Sequence, residues 1–217
     1  MEIVVNGVKL YYQKIGHGKP LIMVHGNGED HHIFDEAVTI LKEKYTCYCL
    51  DSRGHGQSQI VDEYDYQIMA DDVIALIQSL GLKDVYYYGF SDGGIIGLYV
   101  ALKSNLIDKM VLSGTNYQVR GIKFWVRLLM RCEYLIKRDA KILMMLKQPH
   151  LTINELQQIQ IPALIVAGSK DLIKYDHTRS LAKALKRGQL LIIPGENHGS
   201  YIIKSQKIAK ILLDYLK

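Results

Sequence analysis

The sequence predicts an α/β protein: a mostly parallel, doubly wound sheet of eight strands led by an antiparallel hairpin. Three observations carry that reading. Asn6-Gly7 separates the strand-like runs EIVV and VKLYYQKI, and a type I′ hairpin turn needs two residues that tolerate positive φ. Six later runs, PLIMVHG, YTCYCLD, VYYYGF, KMVLSG, PALIVAG and QLLIIPG, are too continuously apolar for a strand with one wet face and suit a parallel sheet covered on both sides. Segments of helical period lie between them, the alternation that a doubly wound sheet requires.

Over residues 66 to 80, Ile68, Val73, Leu76, Ile77 and Leu80 fall largely on one helical face, and Gly81 supplies a left-handed stop. Segments 93–103, 175–187 and 200–216 read as helices in the same way. The chain of 217 residues fits a single domain. Residues 118–161, between the sixth and seventh strands, read as a short helical cap: Ile122, Trp125, Val126 and Leu129 recur at helical spacing, with Leu135, Ile136, Ile142, Leu143 and Leu146 beyond.

Composition excludes several classes of protein. With 48% hydrophobic and 23% charged residues and four prolines, the chain is globular rather than disordered or fibrous. No apolar run approaches the ~20 residues that span a bilayer. The N-terminus lacks the pattern of a secretory signal. Cys47, Cys49 and Cys132 are an odd set without a disulfide framework, and no Cys/His pair is spaced to complete a metal site, so a reducing cytoplasm and no metal are expected. The net charge of +5 is concentrated: between Gln118 and Gln148 eight basic residues outnumber Glu133 and Asp139, about +6 for the segment and about −1 for the rest. Such a distribution argues against a nucleic-acid partner and allows weak contact between the basic cap and an anionic membrane surface, without insertion. The solvated basic face is the simpler reading. Oligomeric state is not legible.

In a doubly wound sheet the reactive groups lie at the carboxyl ends of the strands. After VYYY stands Gly89-Phe90-Ser91-Asp92-Gly93, a Gly-x-Ser-x-Gly pentad that a chain with this glycine content would hold by chance only about 0.07 times. Its glycines let Ser91 occupy a strained strand-to-helix turn, where the hydroxyl is exposed as a nucleophile and the next N–H points from a helix start. A serine nucleophile needs a base, and the base an orienting acid. His198 follows QLLIIPG and Asp171 follows PALIVAG, in the chain order expected after Ser91; Asp176 is the alternative acid, five residues further on. The glycine-rich turn His25-Gly26-Asn27-Gly28 offers the N–H of Asn27 as partner to that of Asp92 in an oxyanion hole. His25 reads as a turn-holding residue, and Asp51, Arg53 and His55 as a loop brace. The adjacent His31 and His32 should point apart as solvent-facing polar residues rather than metal ligands.

These motifs together resemble the α/β-hydrolase-fold serine hydrolases over essentially the whole chain. GFSDGGIIGLYVALK followed by IDKMVLSGTN is most similar to the valacyclovirase (biphenyl hydrolase-like) group of esterases. The resemblance implies a carboxylic-ester hydrolase that works through an acyl-enzyme on a small-molecule ester, needs no cofactor, and binds substrate near Gly26, Phe90, Asp92 and Trp125. Within that group the aspartate after the nucleophile is thought to receive a substrate ammonium. Asp92 matches that position; the alternative is that it complements the helix N-terminus. The same triad could serve acyl transfer, amide cleavage or perhydrolysis, and the same fold a non-catalytic receptor.

Overall fold

The computed structural model describes all 217 residues. Its strands are β1 (Glu2–Val5), β2 (Val8–Ile15), β3 (Lys19–Val24), β4 (Tyr45–Asp51), β5 (Val85–Phe90), β6 (Ile107–Ser113), β7 (Ala163–Gly168) and β8 (Gly188–Ile193). The helices are α1 (Asp35–Leu41), α2 (Tyr66–Ser79), α3 (Asp92–Lys103), α4 (Phe124–Lys137), α5 (Ala140–Lys147), α6 (Ile153–Leu156), α7 (Tyr175–Ala184) and α8 (Lys207–Tyr215). All eight strands form one sheet in the order β1-β2-β4-β3-β5-β6-β7-β8. The pairs β1–β2 and β2–β4 are antiparallel, and every other pair is parallel. Asn6 and Gly7 both take positive φ, as the opening hairpin requires.

Alternation along each strand divides the core in two. Ile22, Val24, Tyr87, Met110 and Ile165 pack under α2, α3 and α7, whereas Leu21, Met23, Tyr88, Val111 and Val166 pack under α1 and α8. Cys47 and Cys49 are fully buried in the second core, where desolvation pushes the Cys47 thiol up to about 12 and leaves it inert.

Two expected elements differ. The run QLLIIPG forms β8, which pairs only with β7, and Leu190 and Leu191 remain partly exposed; an apolar run can sit at a sheet edge as well as inside it. The segment 200–216 becomes helical only from Lys207, because residues before it turn and Lys204 takes a φ of 51°. The strand order reverses at β3, whose neighbours β4 and β5 lie on opposite sides, and a crevice opens there at the carboxyl ends of β3 and β5.

Candidate active site

Ser91 stands between β5 and α3 with φ 52° and ψ −113°, a conformation that costs a non-glycine residue and persists only where its surroundings enforce it. The neighbouring glycines are forced by contact. A β-carbon at Gly89 would strike the Gly93 carbonyl, and one at Gly93 would strike the Val24 carbonyl of β3. The turn therefore lies tight against the end of β3 and lifts the serine side chain over the crevice.

Three segments converge on that hydroxyl. His198 Nε2 lies 3.1 Å from Ser91 Oγ, and His198 Nδ1 lies 2.8 Å from Asp171 Oδ1. Since the carboxylate can only accept, Nδ1 carries the proton and Nε2 faces the serine as an acceptor. Asp171 is buried, and the Ile173 N–H donates to the same Oδ1 at 2.9 Å. The alternative acid, Asp176, is exposed in the first turn of α7. The imidazole packs against Phe90 with ring centroids 5.0 Å apart. Gly114, at the end of β6 with φ 59°, leaves room for that ring: a β-carbon there would lie 2.6 Å from His198 Cε1. Nothing in the sequence around Gly114 signals this.

The N–H groups of Asn27 and Asp92 have no partner within the chain. Their side chains are joined to each other: Asn27 Nδ2 donates to Asp92 Oδ2 at 3.0 Å, and the Tyr66 hydroxyl donates to Asp92 Oδ1 at 2.8 Å. This clamp fixes the distance between the two donor-bearing segments. Gly26 is held from both sides, its N–H donating to Glu29 Oε2 at 3.0 Å and its carbonyl lying 2.7 Å from His25 Nδ1. His25 Nε2 accepts from the Ser52 N–H, and burial lowers this ring to about 4, so it stays neutral as a turn-holding residue.

A cavity of about 500 Å³ stands over Ser91, with Gly26, Asn27, Glu29, Phe90, Asp92 and His198 among its lining and Ile122, Val126, Met130 and Ile142 of the cap segment above. Trp125, expected here, is not among the lining residues and is 53% exposed. It lies about 100° round α4 from Val126, so one residue of register turns it outward. Four carboxyls line the cavity, Glu29 and Asp92 beside the elbow and Glu133 and Asp139 from the cap, with Lys137 and Lys141 among them. Burial raises Asp92 to about 6 and Glu29 to about 7, and neither is in an ion pair. Glu29 directly follows the glycine-rich turn, the signal by which the sequence could have marked it.

The Asp51–His55 loop is a brace. Arg53 makes a buried bidentate pair with Asp72 at 2.6 and 2.7 Å. Asp51 accepts from the His31 N–H and from Nδ1 of its ring at 2.7 and 2.8 Å. His31 is thus buried rather than solvent-facing, and its ring lies 4.1 Å from that of His32 instead of pointing away. The unsatisfied demand of buried Asp51 for donors draws it inward.

A doubly wound sheet with a serine elbow at its switch point defines a hydrolase class, and the chain belongs to the alpha/beta hydrolase fold family, whose model matches residues 19–139. It is related to the valacyclovirase (biphenyl hydrolase-like) group. It is 28% identical to serine hydrolase BPHL of Homo sapiens, covering 100% of this chain and 86% of that protein. It is also 28% identical to the AB hydrolase superfamily protein YisY of Bacillus subtilis (strain 168), covering 96% and 95%. Among solved structures, a thermophilic esterase from Thermogutta terrifontis matches with a TM-score of 0.84 at 18% identity, over 100% of this chain and 98% of that one. The enol-lactonase from Burkholderia xenovorans LB400 matches with a TM-score of 0.83 at 20% identity, over 100% and 99%.

Proposed function

We propose that the protein is a serine carboxylic-ester hydrolase acting on a small ester through an acyl-enzyme. The observation that carries this reading is the pair of contacts, 3.1 Å from Ser91 Oγ to His198 Nε2 and 2.8 Å from His198 Nδ1 to Asp171, at the cavity beneath the cap segment. Ser91 Oγ attacks the ester carbonyl while His198 takes its proton. The charge that develops on the carbonyl oxygen is held by the N–H groups of Asn27 and Asp92, each such donor contributing ~3 to 4 kcal/mol of transition-state stabilisation. His198 then protonates the leaving alcohol, deprotonates a water that attacks the acyl carbonyl, and returns the proton to Ser91. Asp171 holds the imidazole tautomer and stabilises its charged form.

Asp92 and Glu29 support a substrate class. Ionised Asp92 and Glu29 oppose negative charge developing on the oxyanion, and a substrate ammonium beside them offsets that opposition. This favours α-amino acid esters. Ser91→Ala should reduce hydrolysis of p-nitrophenyl acetate below a few per cent of wild type with unchanged thermal stability; activity that survives the substitution excludes Ser91 as nucleophile.

A further inference from the structure

Every helix of the fold buries at least one side chain except α4, which buries none. At about 100° per residue its fourteen positions divide into three stripes. Val126, Met130, Glu133 and Lys137 face the cavity. Phe124, Leu128 and Leu135 lie opposite them and Trp125, Leu129 and Ile136 on the adjoining flank, together one broad apolar stripe whose members are each between 49% and 83% exposed. Arg127 and Arg131, with Arg138 at the end of the helix, run along one edge of that stripe.

Helices normally hide their apolar face and wet their charged one. In α4 the short inner stripe already meets the cavity, so the larger apolar stripe is left with nothing in the chain to cover it. A patch of this kind marks a surface that meets an apolar phase or a partner. Charge selects between them. The segment from Gln118 to Gln148 carries about +6, so a second copy packed on the stripe would bring two such segments together. An anionic bilayer surface meets both features at once, taking the apolar side chains among its acyl chains and the arginines at its headgroups. No helix is long and apolar enough to cross a membrane, so contact lies in the plane of the surface.

We propose that the outer face of α4 docks on anionic lipid bilayers, laying the cap flat on the surface with the catalytic cavity directly beneath it. The proposal is independent of the reaction assigned to the site. Trp125 is the only tryptophan in the chain and stands in the docking stripe, so its emission reports contact directly.

The test is co-sedimentation of the full chain with vesicles of phosphatidylcholine alone and of phosphatidylcholine mixed with phosphatidylglycerol, with emission recorded on the same samples. The expected result is about tenfold stronger binding to the mixed vesicles, a blue shift of Trp125 on binding, and release by salt. The double variant Leu128→Glu/Leu135→Glu, both positions exposed, should lose that binding and keep the wild-type circular dichroism and thermal midpoint. No sedimentation with mixed vesicles, or equal sedimentation with both kinds, overturns the proposal. A solution dimer that the double variant dissociates also overturns it, assigning the stripe to a second copy.

Discussion

Asp92 is placed for two tasks. Its backbone N–H is half of the candidate oxyanion hole, and its carboxylate clamps Asn27, the residue bearing the other half, while Tyr66 supports it from below. Complementing a helix start alone would not require two side-chain donors at a buried carboxylate. Asp92→Asn keeps the shape but offers one acceptor where two donors converge. We expect kcat/KM to fall for all esters, and to fall about tenfold further for α-amino acid esters than for matched plain esters. Equal losses on both would remove the ammonium role and leave the clamp. Ser91, His198 and Asp171 were legible as a candidate nucleophile, base and acid because each follows an apolar run at a strand end. Glu29 carries only the weak signal of its place after the glycine-rich turn, and Tyr66, which opens a helix, carries none; folding brings both to the cavity.

At the scale of elements, the elbow between β5 and α3 and the end of β6 together set where the imidazole can sit. Gly114 combines a positive φ with close approach to His198, so Gly114→Ala adds both backbone strain and a collision with the ring. A drop of about tenfold or more in kcat with KM little changed is expected, checked by steady-state kinetics on p-nitrophenyl acetate. A variant with wild-type kcat would show that His198 is positioned by other contacts. Strand and helix kinds were readable from period, because continuous apolar runs and a 3.6-residue stripe are distinct signals. Edge position and face were less so. Leu190 and Leu191 look like core residues until the strand order puts β8 last, and Trp125 looks like a cavity residue until one step of helical rotation is fixed.

For the molecule as a whole, buried and half-buried titratable groups give opposing pH dependences. Glu29 and Asp92, raised to about 7 and about 6, contribute stability that is present below the unfolded carboxyl pKa and lost as pH rises through those folded values. His25 and His177, both lowered to about 4 by burial, contribute stability present above about pH 6.5 and lost as pH falls toward 4. Glu29→Gln should therefore raise the thermal midpoint at about pH 8, where the wild-type carboxyl is forced to ionise, and leave it nearly unchanged at about pH 5. Calorimetry at both pH values checks this; a midpoint shift of equal size at each would show that ionisation of Glu29 is not the cause.

The chain between Gln118 and His150 is closed at its base, where those two residues pair in a bridge and the Leu151 N–H donates to the Tyr117 carbonyl. Both stems descend toward β6 and β7, which lie side by side. Such a cassette can be lengthened, shortened or exchanged while the register of the sheet beneath stays as it is. The start of the segment is also tied to the loop that carries Asp171, where Ile122 bridges Ile173 and the Lys123 N–H donates to the Leu172 carbonyl, so a longer cap grafted beyond Lys123 should change what enters the cavity and leave that loop in place.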